Sequence, residues 1–148
     1  MSTTTFANPK TASSSKMAIA GAIAGLVGGV FFGIMMGMMG MLPMVGMLVR
    51  QENALVGFIL HMVLSAFIGA VYGLIAWRFS DGWLTAVISG LVYGAIWWVL
   101  GALTLMPLLL GMTQMVFVIG TDQWLSLMGH IIYGLVTAFV FIPLAKRN

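Results

Sequence analysis

Cysteine is absent from the 148 residues, acidic residues number three, and only 6% of the chain is charged. Without cysteine there is no disulfide framework, no iron–sulfur ligation, no c-type haem attachment and no thiol nucleophile. A soluble domain carries about a quarter charged residues, so the charge deficit excludes a water-soluble globule. The three carboxylates, Glu52, Asp81 and Asp122, all fall between the apolar stretches. Proton-coupled pumps and transporters rely on an intramembrane carboxylate, because only a titratable group carries a proton through the apolar layer. There is no Ser/His/Asp set, HExxH, Walker loop or GxGxxG-plus-acid pattern. The expectation is a non-catalytic protein.

What the chain has is apolar. Hydrophobic residues make up 61%, with 19 glycines and 14 methionines, and the mean hydropathy is +1.12. That composition belongs to a polytopic membrane protein whose helices pack on small residues. Four stretches, about 17–42, 54–77, 83–106 and 124–145, each meet the roughly 20-residue requirement for a spanning helix. They are continuously apolar with no period-2 alternation, which favours helices over a barrel. Residues 1–16 form a polar, Ser/Thr-rich lead. The apolar run after them is too long for a signal-peptide core and ends in no A-x-A-like site, so it reads as an uncleaved first span. The expected fold is all-α: a single four-span domain, 17–148, folded as an integral membrane four-helix bundle.

Basic residues set the expected orientation. Lys10 and Lys16 precede the first span, Arg78 lies between the second and third, and Lys146 and Arg147 follow the fourth; the other side holds only Arg50. This bias places both termini on the cytoplasmic (or matrix or stromal) side. The net charge of +3 therefore reports topology, and no nucleic-acid partner is expected. Trp77 and Trp83 at the inner boundary and Trp124 at the outer one suit interfacial anchoring. Pro43 and Pro107 are expected to end the first and third helices, leaving outer-face segments 43–53 and 107–123.

The chain also reads as two halves, roughly 17–78 and 83–147, each with a histidine about seven residues into its second helix: His61 and His130. Two spans per half give both halves one orientation, hence a parallel repeat about an axis along the membrane normal. Small residues recur every four positions. Gly21, Gly25, Gly29, Gly33 and Gly37 mark the first span, and Gly57, His61, Ser65, Gly69 and Gly73 the second. Ala86, Gly90 and Gly94 mark the third, and Ser126, His130, Gly134 and Ala138 the fourth. Such glycine-zipper spacing lets backbones approach closely. A pore is the sharper reading, but nothing charged or hydroxyl-rich would line it.

Two intramembrane ionisable residues remain. His61 and His130 should lie roughly 10 Å below the outer interface, from a rise of about 1.5 Å per residue. With small neighbours four residues away, they are candidate axial ligands of a b-type haem held between helices. Arg50 is a candidate propionate partner, with Gln51, Asn53, Gln114 and Gln123 nearby in the loops. The plainer role is interhelical hydrogen bonding by neutral imidazoles. Seven methionines crowd residues 35–47, and Met38, Met41 and Met44 are weak candidates for Cu(I), a soft ion suited to thioethers. They lie at adjacent positions all round the helix and not on one stripe, which favours adaptable apolar filler. Trp97 and Trp98 fall near mid-membrane, a depth that suits packing against a neighbouring subunit, pigment or lipid.

These features lead to one expectation and two alternatives. The expectation is a small structural or accessory subunit of a multisubunit electron-transport or photosynthetic complex. Its partners would be the lipid bilayer and other membrane-protein subunits, in a bacterial or organellar energy-transducing inner membrane. The alternatives are a small bis-histidine b-type cytochrome and a Cu(I)-handling membrane protein.

Overall fold

The computed structural model describes residues 13–78 and 82–146. Lys10, Asp81, Arg147 and most of the polar lead lie outside the described residues. Within them, all regular structure is helical. In chain order come α1 (Ser14–Met38), α2 (Leu42–Gly46) running into a 3-10 turn (Met47–Val49), and α3 (Ala54–Ala76). Then follow α4 (Trp83–Trp97), a π-helical stretch (Trp98–Leu105), α5 (Met106–Leu109) and α6 (Thr121–Lys146), with a 3-10 turn at Thr113–Met115. Four runs are long and apolar enough to cross a bilayer: Ser14–Met38, Ala54–Ala76, Trp83–Leu109 and Thr121–Lys146. At 1.5 Å per residue they measure about 35–40 Å, against a hydrocarbon core of about 30 Å. The chain is a multi-pass membrane protein.

Glycine, rather than proline, ends the first and third spans. Gly40 and Gly111 have φ of +68° and +72°, the left-handed conformation that glycine adopts without steric penalty. Around each, the same pair of bonds closes the helix. Gly40 N–H donates to Gly37 O (3.2 Å) and Met41 N–H to Met36 O (2.9 Å). Gly111 N–H donates to Leu108 O (3.1 Å) and Met112 N–H to Pro107 O (2.8 Å). Both are Schellman caps. Pro43 instead sits in the first turn of α2, where its missing donor costs nothing.

Pro107 corrects the expected third boundary, because the span runs through it to Leu109. A proline inside a helix orphans the carbonyl four residues back, here that of Leu103. The loop supplies the replacement: Phe117 N–H donates to Leu103 O at 3.1 Å. The proline thus pins the loop after α5 to the span. In the loop before α3, Asn53 Oδ1 accepts from the N–H groups of Leu55 (2.9 Å) and Val56 (3.1 Å) and caps α3.

The packing order is α3, α1, α6, α4. Helix α1 lies against both α3 and α6, α4 lies against α6, and α2 folds over the start of α3. Small residues decide which faces meet. A Cβ on Gly21 would strike Gly69 O and Gly73, and one on Gly69 would strike Gly21 O and Gly25. One on Gly29 would meet the Ser65 side chain. A Cβ on Gly90 would meet Gly134 O at 2.8 Å, and one on Gly94 would run into His130 O. Gly37 is outside this seam, since a Cβ there meets only Leu42 Cδ1 at 3.5 Å; it belongs to the helix cap. Two apolar clusters fill the interior. One, near the chain termini, gathers Met17, Tyr72, Ala86 and Phe141; the other, near the opposite end, gathers Phe32, Met36, Leu42 and Tyr133. Helices α3 and α4 meet through long side chains rather than backbones. Tyr72 OH and Ser89 Oγ are hydrogen-bonded at 2.8 Å, and Tyr93 OH donates to Ile68 O at 2.6 Å.

Candidate functional site

The two histidines come together around Phe32. This residue of α1 lies edge-on to both imidazoles, with ring centroids 5.3 Å from His61 and 4.8 Å from His130. It is buried at 6% exposure. Helix α6 admits the ring because residue 129 is glycine: a Cβ there would collide with the Phe32 ring atoms. So α1 supplies the centre of the site, α3 brings His61 to one side and α6 brings His130 to the other.

The imidazoles are engaged differently. His61 Nε2 lies 2.9 Å from Gly29 O; a carbonyl accepts only, so the nitrogen carries the proton and donates across the α1–α3 seam. Ser65 Oγ is 3.5 Å from the same nitrogen. His130 donates from Nδ1 to Ser126 O, one turn earlier in its own helix, at 2.8 Å. Ser126 Oγ stands 3.4 Å from that nitrogen. His130 Nε2 has no hydrogen-bond partner among the described residues and points toward the π-helical stretch, 3.9 Å from where a Cβ on Gly101 would lie. Anchoring Nδ1–H on a backbone carbonyl and leaving Nε2 without a protein partner is how ligating histidines are commonly oriented.

Bis-imidazole haem ligation needs one nitrogen from each ring aimed at a common iron. Here Phe32 fills the space between the rings, and Nε2 of His61 is committed to Gly29. A macrocycle between the histidines requires Phe32 to leave and the α1–α3 hydrogen bond to break. Arg50 sits in the loop between α2 and α3 with φ +60°, ending the 3-10 turn after α2. It takes the place a glycine usually holds: its N–H donates to Met47 O (2.9 Å) and Gln51 N–H donates to Gly46 O (3.1 Å).

The methionine trio does not face one way. Met38 is 77% exposed and Met44 is exposed, while Met41 packs against the Phe32–Met36 cluster. Among the described residues, no three His, Asp or Glu side chains converge where a metal ion would sit. Gln123 works at the start of α6: its Oε1 accepts from Gly120 N–H (2.9 Å) and its backbone carbonyl accepts from Trp98 Nε1 (2.9 Å). Trp98 also stacks on Trp124, with centroids 6.1 Å apart.

Sequence reasoning missed Phe32, Gly28 and Gly129, whereas Tyr133, like Tyr72 and Tyr93, was a candidate hydroxyl partner for a helix seam. Tyr133 OH passes beside Gly25 and donates to Ser65 O at 2.7 Å, tying α6 to α3 across α1. Gly28 receives Tyr133 and Thr137 of α6. The available signal was the adjacent pair Gly28 and Gly29, since neighbours on a helix face different ways and so predict two partners for α1. No family model matches the chain, and neither does any curated protein or solved structure.

Proposed function

We propose that the chain is a non-catalytic structural subunit of a larger membrane assembly, of the electron-transport or photosynthetic kind. The observation that carries this reading is the use made of the polar groups within the spans. His61 donates to Gly29 O, Tyr133 to Ser65 O and Tyr93 to Ile68 O. These bonds tie helices together, the ordinary use of polar side chains in lipid. Meanwhile apolar side chains such as Leu55, Ile59, Val63 and Phe67 stand exposed at four-residue spacing along α3, offering continuous surface to lipid or neighbouring subunits.

On this reading the bundle is a parallel repeat with glycine-zipper seams and both termini inside. His61 and His130, Gly21 and Gly90, and Gly25 and Gly94 are each 69 positions apart. The cap glycines Gly40 and Gly111 are 71 apart. Two extra residues therefore enter the second half between Gly94 and Gly111, where the π-helical stretch lies. Absorbing inserted residues is what a π-bulge does within a helix.

Native electrophoresis of membranes solubilised in a mild detergent tests the proposal. The chain should migrate in a band several times its own 15.9 kDa, and the purified chain should show no Soret band. Migration as an isolated monomer overturns the subunit reading. The histidine pair around Phe32 favours one second reading, the b-type cytochrome. A Soret band with a sharp reduced α-band, lost in both His61→Ala and His130→Ala, establishes that instead. The Cu(I) reading predicts copper retention that depends on Met38, Met41 and Met44.

A further inference from the structure

Between α3 and α4 lies a groove of about 550 Å³ that the bundle does not fill. Its walls include Tyr72, Ile75 and Ala76 of α3 and Ile88, Val92 and Trp97 of α4. On α4 it extends from Thr85 to Leu100, about 20 Å along the helix axis. The groove begins at the end of the bundle where α3 finishes and α4 starts. Arg78, two residues beyond Ala76, stands exposed at that end, its guanidinium carbon 5.6 Å from the Trp77 ring centroid.

We propose that this groove holds one acyl chain of an anionic phospholipid, with the lipid phosphate at Arg78. Length argues against a whole transmembrane helix, since the groove runs about 20 Å and a spanning helix crosses roughly 30 Å. The Tyr72–Ser89 and Tyr93–Ile68 bonds bridge the two helices and close its floor. They also occupy the tyrosine and Ser89 hydroxyls, so the lining offers an almost wholly hydrocarbon surface. An acyl chain gains little by leaving other acyl chains, so selectivity comes from charge at the mouth. There Arg78 forms no ion pair among the described residues and complements a phosphate. The site needs no partner subunit.

Native mass spectrometry of the purified full chain, in detergent doped with phosphatidylglycerol or phosphatidylcholine, tests this. One phosphatidylglycerol should be retained in preference to phosphatidylcholine. Arg78→Gln should weaken retention about five-fold, the effect of one basic residue near an anionic lipid surface, and Arg78→Lys should preserve it. Val92→Trp, and separately Ile88→Trp, should fill the groove and abolish retention of the lipid. Both positions are exposed at the helix surface, and a wild-type circular dichroism spectrum checks the fold. Equal retention of the two lipids, an Arg78→Gln variant that holds phosphatidylglycerol like wild type, or retention surviving both tryptophans overturns the proposal. So does a second copy of the chain bound in place of lipid and lost in Val92→Trp.

Discussion

The α1–α3 and α4–α6 pairs use the same small-residue spacing and reach different lengths of contact. Along α1, Gly21, Gly25, Gly29 and Gly33 meet α3 turn after turn, from Gly73 up to Phe58 and His61. Along α4 the close approach is made at Gly90 and Gly94, against Gly134 and His130. One turn further on, where the four-residue spacing would place another small residue, stands Trp98. The indole turns to Gln123 and Trp124, and the π-helical stretch begins. Small residues permit backbone contact, but the first large residue in the register ends it. The second half gives up part of a seam, and α4 stands off α3 far enough to leave a groove.

The largest test of that contrast is to block the longer seam. Gly69→Leu places a side chain where Gly21 O and Gly25 Cα already sit. Backbone atoms cannot rotate aside, so the variant should lose about 3 kcal/mol or more, the upper end for overpacking. Gly37→Leu keeps the chemistry but has room, with only Leu42 Cδ1 at 3.5 Å. Equilibrium unfolding in mixed micelles, followed by tryptophan fluorescence, should show a normal transition for Gly37→Leu and none for Gly69→Leu. Equal behaviour of the two would remove close glycine packing as the basis of the bundle.

Gly37 also shows where sequence reading reaches its limit. Spacing alone assigns it to the seam with Gly33, yet Gly33 already meets Phe58 near the start of α3, and one turn on Gly37 faces Leu42 of α2 instead. Class, span number and span positions were legible, because apolar length and composition control them through the bilayer. From matched depth, a facing arrangement of His61 and His130 was expected. What stands between them was not, because Phe32 is unremarkable among nine phenylalanines until Gly129 on another helix makes room for it. Pro107 misled for a similar reason: the donor that rescues Leu103 O comes from Phe117, fourteen residues away in the chain.

A smaller effect sharpens the comparison between halves. Gly21→Ala and Gly90→Ala are the same change at positions 69 apart. Each gains about 1 kcal/mol of helix propensity, and each must accommodate a Cβ. At Gly21 that atom collides with Gly69 O and lies 2.8 Å from both Gly73 Cα and N; at Gly90 it lies 2.8 Å from Gly134 O and 2.9 Å from Leu135 Cα. Gly21→Ala should cost about 2 kcal/mol net and Gly90→Ala about 1 kcal/mol or less. The reverse order would place the tighter seam in the second half.

The histidines give the smallest and most specific contrast. His61 bonds across helices to Gly29 O, whereas His130 bonds within its own helix to Ser126 O. Cutting the first removes a tie between α1 and α3. Interhelical side-chain hydrogen bonds in membranes contribute on average about 0.6 kcal/mol and at most about 1.7 kcal/mol. His61→Ala, beside its packing loss against Phe32, should therefore cost about 1 kcal/mol more than His130→Ala in the same unfolding measurement. Pairing each with Phe32→Ala in a double-mutant cycle separates ring packing from hydrogen bonding. If the difference between the histidines persists when Phe32 is gone, it belongs to the Gly29 bond. If it vanishes, the aromatic contact carries it, and the two halves hold their histidines by the same means.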